Sequence, residues 1–568
     1  MRWRYLAIFI FFVVLFFGIW SKLFYWQIID ASELSSMGES QYAEYLEIPP
    51  IRGDIKTSDN FPIVTNRISY LVYANPQKTK DITLESNTLS QLLHVDSASI
   101  SAQLSLKDKV WVPLVTSIDE AAKEKVDALN LPDIGFQETP IRFYPEASMA
   151  AQLIGFVGKD ALGNQKGYFG LEGYYDRQLR GRVGKTTVVH DAFGKPVLAK
   201  LTSNSGQQDG RTLVLHIDRV IQYDLEKKLQ EGITQYGADS GMAAVMDPKT
   251  GALLGMAAFP SFDPRNFWDF QTKDYINPLI TDTYEPGSTF KPLVMSAAMD
   301  AGLVTPTSTC PICDKPVTVG DYQIHTWDNK YFPNTNMIDI MIHSDNTGMT
   351  YIAQKLGLDR MMSYLTKFGI GQTTNIDLQG EFAPPLKPRS QWYPIDLATT
   401  GFGQGISITP IELLDAFSAI ANGGVRMEPH IVAEIDTPDG QTIPLPAKQV
   451  DQPISATTAK LMTEILVDTT NKGEASFARL KGYRIAGKTG TASIPVNGHY
   501  DASKTIASFI GFAPADNPKF VMLVILNKPT TSIYGAETAA PIWFAVAHDI
   551  LNYYNISPTE NDSSTFAQ

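Results

Sequence analysis

Three short motifs stand in order along this 568-residue chain: Ser288-Thr-Phe-Lys291, Ser344-Asp-Asn346 and Lys488-Thr-Gly490. A serine hydroxyl is a weak nucleophile near neutral pH, so a base within hydrogen-bond reach must take its proton. Lys291 stands three residues after Ser288, a spacing that puts both on one face of a helix. Glu285-Pro-Gly287 ahead of the serine reads as a turn feeding a helix start, and Pro292 suits a first turn, where no N–H is needed. At such a start the helix dipole favours a developing alkoxide, and backbone N–H groups point towards the reacting carbonyl. Lysine serves as a base only when its pKa is pulled down, which burial and a second cation such as Lys488 both do. The chemistry indicated is acyl transfer through an ester on Ser288, with lysine in place of histidine as the base.

Each motif alone is a weak signal, and two decoys are visible. Ser58-Asp59-Asn60 repeats the second motif in a polar turn, and Lys249-Thr250-Gly251 repeats the third at the turn of a hairpin between Met242–Met246 and Ala252–Met256. Both precede Ser288, which heads the only S-x-x-K in the chain, so one ordered trio remains.

With its flanks, the trio resembles that of the penicillin-binding proteins. The matching stretches are Glu285-Pro-Gly-Ser-Thr-Phe-Lys-Pro292, Phe402-Gly-Gln-Gly405 followed by Thr409-Pro410, and Ala486-Gly-Lys-Thr-Gly-Thr-Ala492. The resemblance is to class B in particular, the monofunctional D,D-transpeptidases of peptidoglycan synthesis, and covers nearly the whole length. Leu215-His-Ile-Asp-Arg219 with Gln222 resembles that family's entry into the catalytic domain. Arg52-Gly-Asp-Ile55, Arg142-Phe-Tyr-Pro145 and Gly170-Leu-Glu172 resemble its pedestal, whereas Thr57-Ser-Asp-Asn-Phe61 departs from the family's Asp-Arg-Asn-Gly turn.

The resemblance implies roles. Ser288 would attack the carbonyl between the two terminal D-alanines of a stem peptide, with Lys291 accepting its proton. Ser344 would relay a proton to the departing D-alanine, and Asn346 would hold Lys291 and the substrate amide. Lys488 would supply positive charge, with Thr489, Gly490 and Thr491 binding the terminal carboxylate and the N–H groups of Ser288 and Thr491 forming the oxyanion hole. Asp345 would face away, and His343 is a structural or exposed histidine. β-Lactams would inhibit by acylating Ser288, a partner glycosyltransferase is implied, and no cofactor is. No glutamate between Asn346 and Lys488 has an asparagine four residues on, the arrangement by which class A β-lactamases drive deacylation by water. With the anchor and pedestal, this favours transfer to an amine of a neighbouring strand, and a D,D-carboxypeptidase is the nearest enzymatic rival. A β-lactam-sensing receptor would need a cytoplasmic output module, and only about four residues precede the apolar run.

The elements that must position these residues begin with an anchor. Tyr5 to Trp20 carries no charge and apolar character resumes after Lys22 as far as Ile29, which suffices to span a bilayer. No A-x-A-like site follows, which argues against a cleaved signal peptide, and Arg2 and Arg4 hold the amino terminus inside. The expected organisation is a cytoplasmic stub (1–4), a single transmembrane anchor (5–29), a mixed α/β pedestal of dimerisation type (37–200), a linker (201–211), a transpeptidase domain (212–555) and a flexible tail (556–568), with the catalytic domain extracytoplasmic. Arg52 and Glu172 are either a buried pair or two separate surface charges.

Apolar runs at 242–258 and near 484–493, 505–513 and 519–527 supply five strands around a helical middle, so the fold class is α+β, an antiparallel sheet covered by helices. Ile217, Val220, Ile221, Leu225, Leu229 and Ile233 recur at helical spacing as core positions. The content is that of a globular protein, 44% hydrophobic and 19% charged. The net charge of −13, with +2 in residues 1–30 and −15 in the rest, disfavours nucleic acid as a partner. The only cysteines, Cys310 and Cys313, lack the further ligands zinc requires, leaving a small disulfide or two thiols.

Overall fold

The computed structural model describes residues 2–34, 37, 43–161, 163–189, 206–496 and 499–558. Residues 201–205 of the expected linker and 559–568 of the expected tail lie outside them. The chain forms two units, one of Met1–Arg52 with Arg180–Gly210, the other of Gly53–Leu179 with Arg211–Gln568.

In the first unit the α-helix Arg2–Phe24 runs on into a π turn, Tyr25–Ile29. This 28-residue span contains an 18-residue window with a mean hydropathy of 2.4, and it is long and apolar enough to cross a membrane. The unit also holds the antiparallel pair Ala43–Ile48 and Gly184–Val189.

The second unit carries two large sheets beside three two-stranded ones. One is built on Pro62–Ala74, which pairs with Ile134–Phe143, Val112–Ile118 and Ile55–Lys56. Beyond Ile55–Lys56 the same sheet takes in Thr212–Leu215, then Val432–Asp436 and Thr442–Pro444, so strands far apart in sequence share one ladder. Helices Ile82–Leu93, Ser97–Leu104 and Glu120–Asp127 bring Leu89, Ile100, Leu104 and Val126 onto Ala74 and Val112. Glu172 is fully buried and accepts from Arg142 Nε at 2.6 Å; Arg52 is also buried, so neither is a surface charge.

The other sheet has five antiparallel strands in the order Leu253–Phe259, Ser240–Met246, Phe520–Asn527, His499–Ala513, Ala486–Val496. Its central strand is apolar without a break because both faces are covered. Val521, Leu523 and Ile525 join the core beneath the helical middle. Phe520, Met522, Val524 and Leu526 pack with Trp543 and Phe544 of the terminal helix Ala539–Tyr553 and with Leu225 and Leu229 of Arg219–Tyr236. Ala486–Val496, which carries the third motif, is the edge strand. The first decoy occupies an exposed turn, and Lys249 of the second is exposed in a hairpin turn, its Nζ on Asn517 Oδ1 at 2.5 Å.

Candidate active site

Ser288 lies on a 3₁₀ turn, Gly287–Phe290, that leads directly into the α-helix Lys291–Asp300 with Pro292 in its first turn. The serine thus stands one turn ahead of the α-helix proper. Gly287 adopts φ +58°, and a Cβ there would lie 3.2 Å from Ala492 Cβ on the edge strand. Its N–H donates to the carbonyl of Gly403 at 2.9 Å, which seats the Phe402-Gly-Gln-Gly405 loop against the turn bearing Ser288.

The second motif arises at a helix break. The helix Met337–Ile342 ends at His343, Ser344 takes the left-handed conformation with φ +54°, and Asp345 caps the next helix, Asn346–Leu356. Asp345 is absent from the lining of the cleft that Ser344 and Asn346 share; it is buried, and its Oδ1 accepts from the N–H groups of Thr347 (2.7 Å) and Gly348 (3.2 Å). That cap holds a non-glycine residue in a region that costs about 1 kcal/mol or more. His343 is exposed and stacks on Phe332 at 4.4 Å.

These two breaks bring the polar groups together. Ser344 Oγ donates to Ser288 Oγ at 2.9 Å, and Lys291 Nζ donates to Ser344 Oγ at 3.2 Å, to the Ser344 carbonyl at 2.5 Å and to Asn346 Oδ1 at 2.8 Å. Among the described residues, then, Ser288 is bonded to Ser344, and Lys291 reaches it through that hydroxyl. Asn346 is oriented by its amide N–H on the carbonyl of His325 at 3.1 Å. Lys291 is fully buried. Burial, and next the Lys488 ammonium, push its amine well below the ordinary lysine value, against the opposing pull of Asp345 and Glu474.

The third motif borders the same space. Lys488 is buried, and burial lowers its pKa while Glu474 pulls the other way. A Cβ on Gly490 would lie 2.4 Å from Ser508 Oγ and 2.8 Å from Thr289 Cγ2, so only glycine lets the edge strand lie this close to the turn bearing Ser288. Thr491 Oγ1 accepts from the Gly535 N–H at 3.0 Å, which leaves its own proton for a ligand. Ser288, Ser344, Asn346, Thr489 and Thr491 all line one cleft of about 330 Å³, together with Phe402, Gln404, Glu474, Trp327 and Tyr534. Trp327 and Tyr534 meet edge to face at 5.8 Å. Glu474, Trp327 and Tyr534 belong to none of the three motifs. The sequence signal for Asp345 was its place directly before a helical run, the pattern of an N-cap; no comparable local signal marks Glu474.

Cys310 and Cys313 are disulfide-bonded and buried. The Cys310 N–H donates to Thr335 O and the Phe332 N–H to Cys313 O, which closes the segment carrying His325 and Trp327.

Residues 241–552 match the penicillin binding protein transpeptidase domain, and residues 47–215 match the penicillin-binding protein dimerisation domain. Stage V sporulation protein D of Bacillus subtilis (strain 168) is 32% identical over 570 residues, covering 99% of this chain and 87% of that protein. Peptidoglycan D,D-transpeptidase FtsI of Escherichia coli (strain K12) is 28% identical over 552 residues, 95% of this chain and 90% of that protein. Among solved structures, penicillin binding protein 3 from Mycobacterium tuberculosis, complexed with aztreonam, superposes with a TM-score of 0.70 at 26% identity, covering 90% of this chain and 98% of that one.

Proposed function

On the premise that this chain belongs to the class B penicillin-binding proteins, we propose that it is a membrane-anchored peptidoglycan D,D-transpeptidase whose acyl-enzyme forms on Ser288. The observation that carries this reading is the hydrogen-bonded series Ser288–Ser344–Lys291, closed off from water at its lysine end. With Lys291 neutral, the Ser288 proton passes through the Ser344 hydroxyl to the amine as Ser288 Oγ bonds to the carbonyl between the two terminal D-alanines. The negative charge on the carbonyl oxygen meets the N–H groups of Ser288 and Thr491, an interaction worth a few kcal/mol of barrier. Collapse expels D-alanine, whose nitrogen takes the proton back from Ser344, with Lys291 behind it. An amine of a neighbouring stem peptide then attacks the ester and the sequence runs in reverse.

The donor peptide lies along Ala486–Val496. An edge strand leaves one row of backbone groups for an added chain. Asn346 holds the substrate amide, and Lys488 with Thr489, Gly490 and Thr491 receives the terminal carboxylate. A β-lactam mimics the D-alanyl-D-alanine end and acylates the same serine. Arg2 and Arg4 place the amino terminus in the cytoplasm and everything after about residue 30 outside, where a partner glycosyltransferase makes the strands to be joined.

The test is a partition experiment. The purified protein is given a D-alanyl thioester or a stem pentapeptide with a D-amino acid as acceptor, and transfer and hydrolysis products are counted by mass spectrometry. Transfer rising with acceptor concentration at the expense of hydrolysis is expected. Hydrolysis alone at every acceptor concentration would move the reading to a D,D-carboxypeptidase.

A further inference from the structure

The hydroxyl of the third motif is already engaged. Thr489 Oγ1 donates to Glu474 Oε2 at 2.9 Å and accepts from Lys488 Nζ at 3.1 Å, so a carboxylate, a hydroxyl and an ammonium stand in a row at one end of the cleft. Glu474 follows the helix Ala456–Lys472 and is the one acidic side chain among the described residues lining the cleft. The other charged groups near it are few. Lys291 and Lys488 are buried, Asp345 has one oxygen committed to its cap, and the exposed Lys472 pairs with Asp468 at 2.7 Å.

We propose that Glu474 is a positioning residue of this site: it orients the Thr489 hydroxyl and keeps Lys488 in its ammonium form at the end of the cleft that receives the substrate's terminal carboxylate. The proposal rests on the roles given above to Ser288, Lys291 and Lys488. The reaction needs two buried lysines in opposite states, Lys291 without its extra proton and Lys488 with it. Burial alone strips both. Glu474 opposes the effect of burial on both lysines, but its link through one hydroxyl is to Lys488, and among the described residues Lys291 alone has a second ammonium set against it. The charged Lys488 in turn helps keep Lys291 free of its proton. Of the two threonines that receive the ligand carboxylate, Thr491 has its hydroxyl proton free, whereas Thr489 must turn from Glu474 to offer its own.

The experiment is the pH profile of Ser288 acylation by a labelled penicillin, in the full-length protein in detergent, for wild type, Glu474→Gln and Glu474→Asp. The profile is expected to be bell-shaped, its acid limb set by Lys291 and its basic limb by Lys488. Glu474→Gln should move the basic limb down by about one pH unit, and Glu474→Asp should return it towards wild type. A Gln variant whose profile keeps the wild-type shape, at the same rate or uniformly scaled, overturns the proposal. Should that variant fail to fold, Thr489→Val, which cuts the link while keeping the charge, must also displace the basic limb, and an undisplaced limb counts against the proposal. Absence of a wild-type adduct on Ser288 would instead overturn the underlying assignment of the site.

Discussion

Two lysines of like surroundings in sequence, each followed by Thr-Gly, end in opposite environments. Lys249 is exposed in a hairpin turn, whereas Lys488 is buried beside Lys291. Lys488→Ala is therefore expected to slow acylation by penicillin, and Lys249→Ala to leave it within about twofold, since an isolated surface contact contributes little. Stopped-flow or gel-based acylation rates check this, and equal losses would refute it. Because Ser344 stands between Ser288 and Lys291, Ser344→Ala and Lys291→Ala should each cost on the order of a hundredfold or more in acylation rate, with less than additive effect in the double variant. Additive losses would mean the two act separately.

At the scale of elements, the second motif is a junction of two helices held by one side chain. Asp345→Ala removes the cap of Asn346–Leu356, an expected loss of about 1–2 kcal/mol by thermal or urea unfolding, and lets Ser344 leave its left-handed conformation, so acylation should fall with it. Asp345→Ser, which keeps a capping acceptor, should recover most of both. The five strands of the catalytic sheet were readable because apolar runs bounded by turns are a local signal, and Phe520–Asn527, covered on both faces, is the clearest of them. The other sheet was not readable in full. Thr212–Leu215 pairs with Ile55–Lys56 and with Val432–Asp436, partners more than 150 residues away that no local pattern connects. Glu474 escaped notice for the same reason, its significance depending on a strand that begins twelve residues later.

The pairing of Thr212–Leu215 with Val432–Asp436 also carries a pH dependence. His216 packs against His430 at 4.9 Å, and burial, then His430, push its imidazole from 6.5 down to about 4, with Asp247 opposing. The unfolded chain takes up a proton near 6.5 that the folded one refuses until about 4, so stability is flat above that window and falls as the pH drops through it. His216→Asn should flatten this slope in melting curves taken between those pH values, and an unchanged slope would exclude His216 as its source.

For the whole molecule, one helix among the described residues is long and apolar enough to cross a membrane, and it opens on the basic residues Arg2 and Arg4. Protease added to intact spheroplasts is expected to digest everything beyond about residue 30, and a protected catalytic domain would reverse the orientation. The two domain matches, to a dimerisation domain and a transpeptidase domain, span most of the chain beyond the helix. The three motifs, 200 residues apart from first to last, meet in one cleft because the turn bearing Ser288, the helix junction and the edge strand belong to the same core. The claim on which the rest depends is that the ester forms on Ser288. Mass spectrometry of the penicillin-treated protein, after proteolysis, should place one adduct on the peptide bearing Ser288 and none in Ser288→Ala. An adduct on any other serine, or one that survives in Ser288→Ala, would contradict it.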